Sequence, residues 1–330
     1  LLSVERQQKV KEALYLFLLQ KREENELSQA FTAYNTRIVT PPHGSMLPTS
    51  PVRKNIFMVA FALGLLLPIV IIFMRENMNT RVRGRKDLES VTVPFIGEIP
   101  LFTRKKKGIF GKEPQEVKAV VVKEGNRDII NEAFRVLRTN LEFMTGKDKT
   151  SNVIIVTSFN PGSGKSFLTM NIAVSFAIKE KKVLVIDGDL RHGSASSYID
   201  SPAKGLSDYL GGRIDNLNEI IVSDPKQKSM DILPVGTIPP NPTELLFDER
   251  LKQVIDTVRG QYDYVLIDCP PIELVADTQI IEKLADRSIF VVRAGLLERS
   301  MLAELEKIYG EKKYKNMSLI LNGTEGSGGR

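Results

Sequence analysis

At 330 residues the chain has room for one large α/β domain plus appendages. Its single cysteine, Cys269, excludes an internal disulfide and fits a reducing compartment. The formal net charge of +6 is unevenly placed. Arg75, Arg81, Arg83, Arg85 and Lys86 closely follow one apolar stretch, and residues 104–107 form a second basic run. Position beside an apolar stretch points to a membrane surface rather than to nucleic acid.

In chain order, Val4 to Phe31 is charged and periodic, with Val10, Ala13, Leu14, Phe17 and Leu18 on one helical face. This pattern predicts the end of a long amphipathic or coiled-coil helix. The start at Leu1 reads as that of a fragment, without a visible signal peptide. Pro41, Pro42, Pro48 and Pro51 then make a stiff, non-helical approach. Asn55 to Met74 carries no charge, and as a helix it matches the thickness of a hydrocarbon core. We read residues 53–75 as a transmembrane helix, with Pro68 a tolerated kink. Basic residues flank both ends, more densely after it, which places the C-terminal side in the cytoplasm. Residues 76–125, including Val93 to Pro100 and the Lys/Gly-rich run to Gly111, read as juxtamembrane segment and linker.

A nucleotide domain is expected over residues 126–323, with apolar runs alternating with helical patterns. Strands are predicted at Val153–Thr157, Val183–Ile186, Asp231–Val235, Tyr264–Ile267, Ile289–Val292 and Ser318–Leu321. Helices are predicted at Asn126–Phe143, Lys165–Lys179, Thr243–Val258 and Leu297–Tyr309. The implied fold class is α/β: a P-loop NTPase-type parallel sheet with helices on both faces, preceded by the transmembrane helix. Gly236 to Pro242 is a rigid loop expected to frame the site. Residues 324–330 begin a flexible Gly/Ser-rich tail.

The chemistry concentrates where a strand runs into Pro161, Gly162, Ser163, Gly164, Lys165, Ser166 and Phe167. Glycines let backbone N–H groups wrap phosphates, a lysine reaches β/γ oxygens, and a serine hydroxyl ligates Mg²⁺. The usual opening glycine is replaced by Phe159, so the loop is a deviant one. Asp187, Asp189 and Asp268 follow two apolar strands, at the carboxyl ends where α/β sheets bind ligands. One such aspartate could simply cap a helix. Three beside a triphosphate require a cation between the charges. Asn322, placed just past the last strand, is either a base-contacting amide or a turn residue. Cys269 reads as a small buried residue.

Taken together these segments resemble the bacterial tyrosine kinases fused to polysaccharide co-polymerases. The resemblance runs through ERQQKVKEALYLFLLQKREENELS, VPFIGEIP, EAFRVLRTNLEF, FNPGSGKS, VLVIDGDLR, GTIPPNPTELL and YVLIDCPP, in the family's order. It implies ATP/ADP and Mg²⁺ as cofactors, Pro161 to Phe167 as the phosphate cradle, and Ser166 on the metal. It assigns Asp187 to activating the attacking tyrosine hydroxyl, and Asp189 and Asp268 to positioning Mg²⁺ and its waters. Spacing alone leaves base and metal ligand interchangeable among the three.

Glu132, Arg135 and Arg138 match the family's ring-forming motif, and their i, i+3, i+6 spacing puts them on one helix face. The family further implies an inner-membrane protein with its N-terminal segment periplasmic. Its implied partners are a neighbouring subunit's tyrosine tail, polysaccharide polymerisation and export machinery, and a tyrosine phosphatase. The last tyrosines here, Tyr309 and Tyr314, read as structural. Two other readings share the loop: a partitioning-type ATPase, whose early loop lysine is here replaced by Asn160 and Pro161, and a scaffold with a nucleotide switch.

Overall fold

The computed structural model describes residues 2–31, 44, 52–77, 79–102, 119–146, 152–225, 227–273 and 276–325. The four expected prolines of the approach, the basic run 104–107, Gly111 and residues 326–330 lie outside them. The chain divides into two compact units, Leu1–Arg75 and Glu76–Arg330.

The first unit holds two helices. In α1 (Leu2–Phe31) no proline or glycine interrupts the backbone, and the expected apolar face, including Val10, Leu14, Phe17 and Leu18, is exposed. In α2 (Arg53–Asn77), the stretch Arg53–Arg75 is long and apolar enough to cross a membrane, and none of it is buried against protein. At 1.5 Å per residue it is about 35 Å long. Pro68 lies inside the helix, where it removes one backbone donor.

The second unit begins its regular structure with β1 (Phe95–Pro100), α3 (Ile129–Thr145), β2 (Val153–Ser158) and α4 (Lys165–Ala177). Next come β3 (Val183–Asp187), α5 (Leu206–Leu210), β4 (Val222–Ser223), β5 (Met230–Leu233), α6 (Pro242–Leu246) and α7 (Glu249–Arg259). The chain continues through β6 (Tyr264–Asp268), α8 (Asp277–Glu282), β7 (Arg287–Arg293), α9 (Met301–Gly310) and β8 (Met317–Thr324). Eight strands form one sheet in the order β1-β8-β7-β2-β6-β3-β5-β4. Every pairing is parallel except the antiparallel edge pair β4–β5.

Strands that read as unbroken apolar runs do so because helices cover both faces. Along β2, Val153 and Ile155 enter one core while Ile154 and Val156 enter the other. On the second face α3 and α4 close the core, and Phe176 stacks on Tyr264 with ring centroids 4.0 Å apart. On the first, α7 presents Leu251, Val254, Ile255 and Val258, the one-sided spacing of an amphipathic helix. Tyr314 is buried edge-on to Phe290 at 4.8 Å.

Two expectations need correction. Val93 to Pro100, read as linker, is instead part of the domain: β1 pairs in parallel with β8, and Ile96 and Ile99 are buried. Helix α3 pins it, with Asn140 Nδ2 donating to the Ile96 carbonyl at 2.6 Å. The single helix expected at Thr243–Val258 is two, α6 and α7. Asp248 turns extended between them, and its side chain accepts the Arg250 N–H as a new N-cap.

If β1 belongs to the cooperative unit, Ile99→Ala should cost about 2–5 kcal/mol in urea denaturation of the domain. A loss under about 0.5 kcal/mol would return the segment to linker status.

Candidate active site

Strand β2 delivers the chain to a loop at the carboxyl end of the sheet, and α4 carries it away. Phe159, where the loop's usual opening glycine would stand, is buried and packs 6.1 Å from the Phe290 ring. That position therefore serves the core and not the phosphates. Loop curvature comes from Gly162 and Gly164, both with positive φ (+73° and +86°). A side chain at Gly164 would meet Asn322 Nδ2 at 2.2 Å, so the loop and β8 are in close contact. Within the loop, Ser158 Oγ and Ser163 Oγ both donate to the Asn160 carbonyl, at 2.7 and 2.8 Å. Asn160 Nδ2 reaches Glu273 at 2.9 Å.

The three aspartates converge. Asp187 and Asp268 end adjacent parallel strands in register, and Gly188 N–H donates to the Asp268 carbonyl. Ser166 Oγ, on the first turn of α4, makes a short hydrogen bond to Asp268 Oδ2. Asp187 Oδ2 accepts from both the N–H and the hydroxyl of Ser196, each at 2.6 Å. Asp189 Oδ1 accepts the Arg191 and His192 N–H groups at 3.3 Å, and its carboxylate meets His192 Nδ1 at 3.2 Å. Burial of Cys269 pushes its thiol well above the ordinary range, and that thiol feels the charges of Lys165 and all three aspartates. The lysine and the three carboxylates are thus within electrostatic reach of one buried side chain.

Burial raises the proton affinity of two of these carboxylates, Asp187 and Asp268. Burial, followed by the charge of Asp268, lifts the Asp187 carboxyl to about 7 against the hydrogen bonds from Ser196. Burial also lifts Asp268, to about 6, although Lys165 and the Ser166 hydroxyl oppose it. Asp268 Oδ1 is buried and has no hydrogen-bond partner among the described residues. A bound cation would satisfy that oxygen. No group of three His, Cys, Asp or Glu side chains suited to a metal occurs among the described residues. That donor set fits Mg²⁺, which is held by one or two carboxylates together with water and phosphate oxygens.

A cavity of about 160 Å³ opens beside Gly162, Gly164, Lys165 and Ser166. Its lining includes residues that sequence reasoning passed over: Leu101 and Phe102 just after β1, and Arg293 at the end of β7. No local signal marked them, because only the sheet order brings β1 and β7 beside the loop. Asn322 also lines the cavity, but it lies inside β8 and not past it. Its side-chain amide donates to the Ser163 carbonyl at 2.9 Å, bracing the loop from below. Arg191, Asp277 and Thr243 were equally unmarked. Buried Asp277 accepts from Thr243 Oγ1 at 2.6 Å and from Arg191 Nε at 3.1 Å. This ties the residue after the Gly236–Pro242 loop and its proline to the turn that carries Asp189.

The helix motif separates. Glu132 and Arg135 pair at 2.7 Å on the exposed face of α3. Arg138 does not share that face: it is buried, and its Nη1 donates to the Ser175 carbonyl of α4 at 2.7 Å. Three steps along a helix rotate by about 300°, so two such steps swing Arg138 about 120° away from Glu132.

Comparison with known proteins gives the chain its family. The AAA domain family matches residues 151–316, half of the chain. A second family, described as "G-rich domain on putative tyrosine kinase", matches residues 1–77. The tyrosine-protein kinase Etk of Escherichia coli strain K12 is 32% identical over 295 residues, covering 86% of this chain and 40% of Etk. The tyrosine-protein kinase Wzc of Salmonella typhimurium strain LT2 is 33% identical over 293 residues, 85% of this chain and 39% of Wzc. The solved kinase domain of E. coli Etk superposes with a TM-score of 0.65 at 29% identity, over 76% of this chain and 97% of that domain. The chain belongs to the AAA domain family and is homologous to the bacterial tyrosine-protein kinases of the Etk and Wzc type. It spans about 40% of the length of the curated relatives it matches. The fold is one that in general binds nucleotide with Mg²⁺.

Two outcomes follow from the geometry. The Asp187 carboxyl holds its proton more tightly folded than unfolded, where its value is near 3.8. Its stabilising contribution is therefore complete below that value and is lost as pH rises to about 7. In urea melts without nucleotide or metal, Asp187→Asn should gain on the parent across that window and hold the gain above it; parallel curves would refute the shift. Asn322→Ala should weaken nucleotide binding about tenfold in calorimetry, through a slackened loop. Unchanged affinity would remove the bracing role.

Proposed function

We propose that the protein is a membrane-anchored, ATP- and Mg²⁺-dependent protein-tyrosine autokinase that regulates polymerisation or export of a capsular or exopolysaccharide. The observation that carries this reading is the pair Ser166–Asp268, with its unpartnered carboxylate oxygen, beside Lys165 at the start of α4. In the loop Pro161 to Phe167, the backbone N–H groups of Gly162 to Phe167 cradle the phosphates, Pro161 having none to give, and the Lys165 ammonium offsets charge on the β/γ oxygens. Ser166, Asp268 and, through water, Asp189 are the proposed metal-holding groups; when bound, Mg²⁺ supplies charge neutralisation on the transferring phosphate.

Asp187 is the proposed base for the acceptor hydroxyl. A carboxyl raised to about 7 is a stronger proton acceptor than an ordinary aspartate. Ser196 holds it in one orientation. Phe102 offers an aromatic surface and Arg293 a cation, both on the lining of the cavity, as proposed contacts for the nucleotide.

The substrate we propose is a tyrosine-rich tail of a neighbouring subunit in a homo-oligomeric ring, with Glu132 and Arg135 of α3 at the contact. Arg138 would then act indirectly, by fixing α3 against α4. In this reading α2 spans the inner membrane, α1 is periplasmic and the sheet domain cytoplasmic, with export machinery and a tyrosine phosphatase as partners.

Lys165→Met in a chain carrying a tyrosine tail should lower tyrosine phosphorylation by ATP and Mg²⁺ at least about a hundredfold. Retained phosphorylation in purified protein sinks the proposal. Phosphate release without any transfer to tyrosine would favour the ATPase class instead.

A further inference from the structure

We propose that the cavity between Arg138 of α3 and the end of α4 is a binding site for a phosphoryl group, carried by inorganic phosphate or by an aryl phosphate. Arg138 is only 7% exposed. Its hydrogen bonds among the described residues all leave from Nη1, to the Ser175 carbonyl and hydroxyl at 2.7 and 3.4 Å. Nε is buried without a partner. The neighbouring acids are committed to other cations, Glu132 to Arg135 at 2.7 Å and Glu142 to Lys179 at 3.3 Å. A guanidinium cannot shed its charge, so burying one without a carboxylate is costly.

Helix α4 offsets part of that cost. The Val174, Phe176 and Ala177 carbonyls at its end accept the N–H groups of Ile178, Lys179 and Glu180, and the Ser175 carbonyl is left to Arg138. A helix C-terminus carries only about half an elementary charge. Burial accordingly pulls the Arg138 guanidinium below its ordinary proton affinity; the Glu142 charge opposes this and the Arg135 charge adds to it.

The space beside Arg138 suits an anion. Arg138 lines a cavity of about 130 Å³ together with Lys123, Arg135 and Lys179, and Glu124 is the acid on that lining. Four cations against Glu124, Glu132 and Glu142 leave the place cationic even with both ion pairs counted. Those two pairs face solvent and are weak enough for a dianion to rearrange. The phosphoryl class follows from charge and donor type. A dianion with three acceptor oxygens answers cations arriving from the segment before α3, from α3 and from the end of α4, whereas a carboxylate carries one charge and matches one fork. Ser175 lies about 15 Å along α4 from Lys165, so this cavity is separate from the phosphate loop.

The test uses the full chain in detergent micelles, with Mg²⁺ and a non-hydrolysable ATP analogue at saturation to fill the phosphate loop. Amide hydrogen exchange of residues 122–125 and 175–180 is followed against inorganic phosphate, phenyl phosphate and acetate at constant ionic strength. We expect saturable slowing with a phosphate and none with acetate. Arg138→Leu should weaken the apparent affinity about tenfold or more. Lys123→Gln with Lys179→Gln, both at exposed positions, should weaken it about two- to fivefold per charge removed. The charge-preserving Lys123→Arg with Lys179→Arg should retain it.

A response to either phosphate supports the site: phenyl phosphate alone identifies a phosphorylated tyrosine as the source, inorganic phosphate alone the free ion. No saturable response to either, or an equal response to acetate, overturns it. So does a response that survives Arg138→Leu. Should that variant not fold, the lysine pair decides, and an undiminished response in its glutamine form overturns the site. Every one of these outcomes leaves the kinase reading, which is tested at Lys165, intact.

Discussion

The second unit is organised around buried negative charge that the protein alone does not balance. Asp187 and Asp268 sit in register on neighbouring strands at the carboxyl edge of the sheet, both essentially excluded from water. Burying two carboxylates side by side is unfavourable unless protons or cations accompany them. Ser196 and Ser166 each satisfy one oxygen, and Lys165 lies close enough to oppose the charge. The unpartnered oxygen of Asp268 is left over. A cation brought by a ligand would complete an arrangement of this kind.

The rest of the domain serves to hold that arrangement still. Strand β2 is buried throughout its length, so the loop after it inherits a rigid origin. Phe159 anchors the loop's first residue in the core, and Asn322 reaches across from β8 to hold Ser163. On the opposite side Asp277 gathers Arg191 and Thr243, which secures the turn carrying Asp189. Preorganised donors of this kind are the main means by which a protein stabilises charge during phosphoryl transfer.

The segment between the apolar helix and the domain has a larger role than a spacer. It adds the edge strand β1, contributes Val82, Leu88 and Val93 to the core, and ends with Leu101 and Phe102 on the cavity beside the phosphate loop. The chain therefore becomes part of the sheet at β1 before it reaches the cavity.

Local pattern was enough to reveal six of the eight strands, the phosphate loop, the three aspartates and the apolar helix. Each depends on short-range rules: a buried strand is apolar, a phosphate loop needs glycine beside lysine and serine, and a span needs about twenty uncharged residues. Folding in three dimensions decided what those rules could not reach. Whether Val93–Pro100 is linker or strand depends on β8, over two hundred residues away, offering it a free edge. Whether Arg138 points to solvent depends on α4 packing against α3, and the partners Ser196, Asp277, Phe102 and Arg293 carry no motif of their own. Their places are set by strand order and helix packing, which join residues distant along the chain, and no window of sequence contains that information.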